Sequence, residues 1–230
     1  MSEINPQQLN YDDMLKSGMH FGRKKTVFNP KMSKYVFTVK EGICIIDLLK
    51  TQVEIEKTVN FLKKITDEGG MILFVGLTKQ SSDTIKNLAN DTNMPYVVER
   101  WIGGTLTNFK VISSRVKKME EMEKQQKTGE LDKYTKKERL LFEREMKKME
   151  SHFGGLRKMT KLPDVVFVTS LKEGTLPIRE AKRMKIKTTA IVNTDSSPED
   201  VDCAIPANDR SKKSVDLILD AIKNRLTLKD

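Results

Sequence analysis

The strongest constraint on the fold is the alternation of short, wholly apolar runs with amphipathic segments. The apolar runs occupy residues 71–75, 95–98, 165–168 and 188–192. Helical patterns occupy residues 78–91 and 173–184 between them. Runs this short and this apolar are typical of parallel strands that are buried on both faces. We therefore predict an α/β fold, in which helices cover both faces of a parallel sheet.

Two long, highly charged segments interrupt this alternation between residues 105 and 153. In each segment the apolar residues recur at steps of three or four, as along the narrow contact line of a coiled coil. They are Ile112, Val116, Met119 and Met122, followed by Phe142, Met146, Met149 and Phe153. Thr135 and Glu138 have the spacing of a capping box that starts the second helix. We predict an antiparallel coiled-coil hairpin at 105–153, inserted into an α/β body formed by residues 1–104 and 154–230.

The remaining segments have weaker patterns. Residues 5–17 favour a short helix, and residues 18–31 have the glycines and the Asn-Pro pair of a loop. Residues 35–39 and 43–48 favour a β-hairpin. Helices are predicted at 51–67 and from Asn208 or Asp209 to residue 226.

The composition points to a polyanion as the partner. The formal net charge is +10, and 32% of the residues are charged, a balance typical of nucleic-acid-binding proteins. No apolar run approaches the ~18 residues of a membrane-spanning helix, and the polar N-terminus lacks a signal-peptide core. Cys44 and Cys203 lie in apolar runs and are predicted to be reduced core residues, which favours the cytoplasm.

The sequence offers no catalytic constellation. His20 and His152 have no Cys, His or carboxylate neighbour at metal-ligand spacing, and no Gly-x-Ser-x-Gly elbow is present. We therefore predict a protein that is not an enzyme and has no catalytic residue, no metal and no cofactor.

The segment from Arg100 to Lys110 follows an apolar run and precedes a helix, so it lies where open α/β sheets place their binding surfaces. Gly103-Gly104 is at the correct end of a strand to hold a phosphate, but a tight turn explains it equally well. Trp101 has two interpretations, an anchor of the hairpin in the core or a ring offered to a base or partner. Arg100 and Asn108 are candidate RNA contacts on this surface.

The longest stretch without acidic residues lies in the N-terminal part. Between Met14 and Lys40 there is no Asp or Glu. The basic residues there are Lys16, Arg23, Lys24, Lys25, Lys31, Lys34 and Lys40. We predict that Arg23, Lys24, Lys25, Lys31 and Lys34 face phosphates. Arg157 and Lys158, just after the charged insertion, form a second candidate group.

Several strings together resemble one family, the second protein of the bacterial small ribosomal subunit. They are His20-Phe-Gly22, Asn29-Pro-Lys-Met32, Gly42-Ile-Cys-Ile-Ile-Asp-Leu48, Arg100-Trp-Ile-Gly-Gly-Thr-Leu-Thr-Asn108, Phe153-Gly-Gly-Leu156, Leu162-Pro-Asp-Val165 and Ile205-Pro-Ala-Asn-Asp209. The sequence departs from the family pattern at Arg23, where histidine is common, and at Ala207, where glycine is usual.

The resemblance implies a flavodoxin-like three-layer body with an inserted coiled-coil hairpin. It also implies a structural role in a cytoplasmic small ribosomal subunit, with 16S rRNA and other ribosomal proteins as partners. These include the mRNA-binding ribosomal protein one. Two other functions remain open from the residues alone: an enzyme or sensor that binds a nucleotide-like ligand at Gly103-Gly104, and a coiled-coil adaptor without an RNA role.

Overall fold

The computed structural model describes residues 9–128 and 133–227, which form two sheets and seven α-helices. The strands are β1 Phe21–Lys24, β2 Val36–Lys40, β3 Ile43–Ile46, β4 Ile72–Val75, β5 Tyr96–Val97, β6 Val165–Val168, β7 Lys187–Val192 and β8 Cys203–Pro206. The helices are α1 Tyr11–Lys16, α2 Leu48–Asp67, α3 Lys79–Asp91, α4 Phe109–Lys127, α5 Lys136–Phe153, α6 Thr175–Arg183 and α7 Lys212–Thr227. Residues 5–8 of the predicted first helix lie outside the described residues.

The larger sheet is parallel throughout and has the strand order β5-β4-β6-β7-β8. Counted along the chain, this order is second, first, third, fourth, fifth, which is the order of flavodoxin-type sheets. The prediction of an α/β fold with a parallel sheet is confirmed. The sequence did not predict β8, which ends in Pro206. Proline is tolerated there because β8 is an edge strand.

Each face of the parallel sheet packs against its own apolar core. Alternate residues of β4 point to opposite faces. Ile72 and Phe74 pack with apolar residues of α2, α3 and α7. Leu73 and Val75 pack with apolar residues of α6 and α4. The sheet is therefore the middle layer of three.

The smaller sheet is antiparallel, with the order β1-β3-β2. The predicted hairpin of β2 and β3 is confirmed, but the prediction of a loop over 18–31 is wrong at β1. The run Phe-Gly-Arg-Lys has no strand pattern of its own, and pairing with β3 imposes the extended conformation, with Phe21 opposite Ile45 and Lys24 opposite Ile43.

Backbone contacts attach the smaller sheet to the carboxyl edge of the larger one. The Arg23 amide donates to Thr194 Oγ1 at 2.7 Å, and the Asn29 amide donates to the Thr194 carbonyl at 2.8 Å. Gly22 lies so close to this edge that a Cβ there would be 2.7 Å from Thr194 Cγ2 and 2.8 Å from the Cys44 carbonyl oxygen. Only glycine fits this approach without a local shift.

Two helix starts differ from the predicted ones because of capping side chains. Helix α2 begins at Leu48 rather than at 51, since the Asp47 carboxylate accepts from the Leu49 amide at 3.1 Å. Helix α7 begins at Lys212, so neither of the predicted capping residues, Asn208 and Asp209, directly precedes it. The Asp209 carboxylate is not free to cap it, because it accepts hydrogen bonds from side chains of other elements.

Helices α4 and α5 contain the two long charged segments between β5 and β6. Ile112, Val116, Met119 and Met122 of α4 are buried, as are Met149 and Phe153 of α5. Lys118 Nζ lies 3.2 Å from Glu145 Oε1, so the middles of the two helices are adjacent. The capping box of Thr135 and Glu138 is confirmed. The boundaries of a separate coiled-coil hairpin stay a prediction.

Both cysteines are free thiols. Cys44 is buried, as predicted, and Cys203 is half-buried at the start of β8. Burial raises the pKa of both thiols, which favours the protonated form of each.

The contact at Gly22 generates a stability prediction. We expect Gly22→Ala to lower the free energy of unfolding by about 1–3 kcal/mol, since the added methyl group overpacks the junction of the two sheets. Urea unfolding followed by circular dichroism measures the change. Gly103→Ala is the control, because a Cβ there meets nothing within 4 Å and should change stability by less than about 0.5 kcal/mol. Equal stability of the two variants would contradict the close approach.

Candidate nucleic-acid interface

Lys24 and Lys25 are the exposed cations at the end of β1. Within residues 9–128 and 133–227, neither side chain forms an ion pair with a carboxylate. Lys24 ends the strand, and Lys25 begins a short 3₁₀ helix, Lys25–Val27. Two neighbouring cations without counter-ions can neutralise phosphates without first breaking an internal contact.

Lys31 and Lys34 lie on the next 3₁₀ helix, Pro30–Tyr35. Lys31 Nζ lies 2.5 Å from Glu199 Oε2 on the surface, which raises the pKa of Lys31 through a hydrogen bond and charge attraction. An exposed pair of this kind contributes little to stability because solvent and salt screen it, so a phosphate can compete for the lysine. Lys34 Nζ lies over the Tyr35 ring, 5.0 Å from its centroid, and remains exposed.

Arg23 is in a different environment from the lysines that follow it. Its side chain is only 13% exposed. Nη2 donates to Asp209 Oδ1 at 2.7 Å, and Nε lies 3.3 Å from Asp195 Oδ2. Its charge is thus neutralised by carboxylates of the body, and Arg23 presents no unpaired cation to solvent.

The carboxylate of Asp209 is the centre of this buried network. Besides Arg23, it accepts from Ser170 Oγ at 2.6 Å and from Asn193 Nδ2 at 2.9 Å. Ser170 follows β6 and Asn193 follows β7, so the network lies at the carboxyl ends of the strands. Sequence reasoning missed these three residues, although Asp209 stood in a motif that was interpreted only as a helix start.

Arg100 and Asn108 flank the turn that leads from β5 into α4, and both are exposed. Asn108 is the N-cap residue that directly precedes α4, but its side chain forms no capping hydrogen bond. Its amide group therefore remains available for an external ligand. Gly104 between them has a φ of +91°, which only glycine adopts without strain.

Glu180 of α6 occupies the inside of this turn and is buried. Its carboxylate accepts from the backbone amides of Gly104 at 2.8 Å, Leu106 at 3.0 Å and Thr107 at 3.3 Å. It also accepts from Trp101 Nε1 at 3.0 Å. The amides that could have held a phosphate at Gly103-Gly104 are therefore already bound to the protein's own anion.

The environment of Glu180 favours its ionised form. Burial opposes ionisation, but the hydrogen bonds from Trp101, Gly104, Leu106 and Thr107 outweigh it, so the pKa is lowered. Trp101 is 6% exposed, and its indole N–H is satisfied by this carboxylate. The interpretation of Trp101 as an anchor in the core is correct, and the ring is not free to stack on a base.

Arg157 and Lys158 follow the insertion and differ in their surroundings. Arg157 forms ion pairs with Glu123 of α4 and Glu150 of α5, and Nη1 donates to Glu123 Oε2 at 2.8 Å. The hydrogen bond from Arg157 lowers the pKa of Glu123 despite partial burial. Arg157 thus joins both helices to the body. Lys158 is exposed and has no ion pair within the described part of the chain.

Two further classes of site were sought in the described residues. No group of three or more His, Cys, Asp or Glu side chains in this part of the chain could hold a metal ion. None of the helices found there is long and apolar enough to cross a membrane.

Comparisons with known proteins agree on one family. The model of the family described as ribosomal protein S2 matches residues 14–227. Two relatives, each called small ribosomal subunit protein uS2, come from two strains of Thermus thermophilus. Each is 39% identical over 214 residues, which cover 93% of this chain and 84% of the relative.

The carboxylate of Glu180 generates a prediction about stability and pH. We expect Glu180→Gln to lower the free energy of unfolding at neutral pH by about 1.5–3 kcal/mol, because an amide cannot accept from all the donors around it. The folded-state pKa is lowered, so the stabilisation is complete above the ordinary glutamate pKa of about 4.3 and is lost as pH falls through the folded-state value. The gap between the parent chain and Glu180→Gln should therefore shrink in acid.

Urea unfolding at a series of pH values measures this gap. Glu173→Gln is the matched control, since Glu173 is exposed and makes no hydrogen bond within the described ranges. It should match the parent chain at every pH. A Glu180→Gln variant as stable as this control would show that the turn does not depend on the carboxylate.

Proposed function

The chain belongs to the ribosomal protein S2 family, and we propose that it binds 16S rRNA through the lysines of its smaller sheet. The chain is a structural constituent of the small ribosomal subunit and not an enzyme. The finer assignments that follow are the contacts by which it would fill that role.

The observation that carries the proposal is the pair of exposed cations Lys24 and Lys25, at the end of β1 and directly after it. Neither is paired with a carboxylate of the described residues, and the three strands of this sheet contain no acidic residue. Lys34 extends this surface along the adjacent 3₁₀ helix, and Lys31 joins it by exchanging Glu199 for a phosphate. Arg23, held by Asp195 and Asp209, supports the surface from beneath. Lysines that contact phosphates position a protein without reading the sequence, so the shape of the folded RNA would supply the specificity.

Arg100, Asn108 and Lys158 form a second group of proposed contacts. Arg100 and Asn108 flank the turn held by Glu180, and Lys158 follows the insertion. Arg157 belongs to this group by sequence, but its guanidinium is shared between Glu123 and Glu150. Its proposed role is therefore to set the position of the group.

We propose that residues 105–153 form an inserted antiparallel coiled-coil hairpin, and that residues 1–104 and 154–230 form the body. The buried line of Ile112, Val116 and Met119 on α4 supports this division. The contacts of Glu180 and Arg157 also support this division. Glu180 holds the turn that precedes α4, and Arg157 pairs with Glu123 of α4 and Glu150 of α5. A rigid attachment of the two helices would let the hairpin hold neighbouring ribosomal proteins at a set distance from the RNA.

We further propose a cytoplasmic location and contact with the mRNA-binding ribosomal protein one, both of which the family resemblance implies. The alternative of a nucleotide-binding enzyme or sensor is not supported. Its phosphate site at Gly103-Gly104 is already occupied by Glu180.

The phosphate surface generates a test. We expect the triple variant Lys24→Gln, Lys25→Gln, Lys34→Gln to bind a 16S rRNA transcript more weakly. The slope of log K against log salt concentration should fall by roughly two to three, because each lost phosphate contact removes one released counter-ion. Filter binding over a series of KCl concentrations measures the slope.

The control is the triple variant Lys57→Gln, Lys118→Gln, Lys223→Gln, which removes the same charge. These lysines face Glu54, Glu145 and Asp91, so the salt slope should stay near that of the parent chain. Equal slopes for the two triple variants would show that net charge, rather than this surface, governs binding.

A further inference from the structure

The smaller sheet carries an aromatic side chain that its fold leaves in solvent. Phe37 of β2 is 75% exposed, the highest value among the exposed large apolar residues. The pairing of β2 with β3 shifts at this point: Val36 lies opposite Ile46 and Thr38 lies opposite Ile45. Phe37 is therefore the additional residue of a β-bulge, a feature that commonly re-aims a side chain at a functional surface.

The pairing brings aromatic and basic residues into two neighbouring rows. In the first row, Phe21 of β1 and Thr38 of β2 lie on either side of Ile45. In the second row, Lys24 and Lys40 lie on either side of Ile43. Directly paired side chains share a face of the sheet. Ile43 and Ile45 are two residues apart, so the rows are separated by about 7 Å.

The first row carries two accessible aromatic rings at its ends. Phe21 is 46% exposed, and the His20 ring packs beside it with a centroid distance of 4.1 Å. Phe37 shares with Thr38 the position opposite Ile45 on the other edge of the sheet, because two residues of a bulged strand oppose one residue of its partner. The strands lie about 5 Å apart, so the two edges are about 10 Å apart. Bases of a single strand can be reached from both rings.

The three strands contain basic but no acidic residues, which indicates the kind of ligand that this face binds. No residue of Phe21–Lys24, Val36–Lys40 or Ile43–Ile46 is acidic. The turn between β2 and β3 contains one carboxylate, that of Glu41. A ligand that suits this face presents a flat apolar surface beside a negative charge. An unpaired nucleotide does so, because its base has a π-face and its phosphate is anionic.

We propose that this face of the smaller sheet binds unpaired RNA by stacking a base on Phe37. Lys24 and Lys40 hold the adjoining phosphates, and Phe21 offers a second stacking position. The inference rests on the proposed function and deepens it, since it assigns single-stranded rather than helical RNA to part of the lysine surface.

The first experiment uses fluorescence. A Phe37→Trp variant keeps an aromatic ring at the bulge and adds an exposed indole, whereas Trp101 is buried in parent and variant alike. We expect oligouridylate to quench the added emission, and an RNA duplex of equal length to quench it much less. Anisotropy of labelled RNA, recorded in parallel, reports binding independently of stacking. Binding without quenching would overturn the stacking proposal.

The second experiment removes the ring. We expect Phe37→Ala to lower the affinity for oligouridylate by about fivefold to a hundredfold. The slope of log K against log salt should not change, because no phosphate contact is lost. The urea midpoint should equal that of the parent chain, since the ring is exposed. Tyr134→Ala is the matched control, an aromatic side chain 53% exposed just before α5, and should bind RNA like the parent.

The results separate this proposal from the one on which it rests. An unchanged affinity in Phe37→Ala, together with a steep salt dependence, would overturn base stacking and leave the phosphate surface intact. RNA binding by the parent chain without salt dependence would overturn the phosphate surface itself. A Phe37→Ala variant that binds RNA normally but is washed out of small subunits would assign the ring to a protein neighbour and also overturn base stacking.

Discussion

The path of the chain from β5 into α4 depends on one group, the carboxylate of Glu180. It belongs to α6 of the body, and it binds the indole of Trp101 and the backbone amides at the start of the insertion. A buried carboxylate without such donors would cost several kcal/mol, and buried amides without an acceptor would also be unfavourable. The ionised carboxylate therefore needs the donors of the turn, and the turn needs the carboxylate as its acceptor. These hydrogen bonds fix the path of the chain into α4.

Carboxylates that accept hydrogen bonds from within the chain also lie elsewhere along the carboxyl edge of the parallel sheet. In folds of this type that edge holds ligands. Here Asp209 accepts from Arg23, Ser170 and Asn193, and Glu180 fills the neighbouring turn. The carboxylate of Asp209 and the backbone amides of Gly104, Leu106 and Thr107 are thus already bound within the chain. The smaller sheet is thereby fastened to the edge through Arg23, and its opposite face is left for an external partner. The fold acts as a scaffold because its usual binding edge is internally occupied.

Sequence patterns predicted the parts of the fold whose stability is local or strongly apolar. Strands β4 and β6 and the capping box at Thr135 are examples, since a few consecutive residues are enough to show the pattern of each. Strand β1 could not be found in this way, because only pairing with β3 makes it a strand. The nine predicted RNA contacts were chosen by residue type and by position in the sequence. Charge does not distinguish Arg23, which is neutralised by Asp195 and Asp209, from Lys24 beside it. The roles of Glu180 and Asp209 depend on contacts distant in the chain, and no local pattern reveals them.

The distribution of charge supports a binding role for the smaller sheet more strongly than a folding role. Elsewhere the surface mixes signs, and lysines such as Lys57 and Lys223 face carboxylates. Exposed ion pairs of that kind contribute little to stability, so folding would tolerate carboxylates among the lysines of β1 and β2 almost as well as their absence. Binding to a polyanion would not tolerate such carboxylates, because each one would repel a phosphate and offset the charge of a lysine. The absence of acidic residues from these strands therefore supports the proposed phosphate surface, since folding alone does not require it.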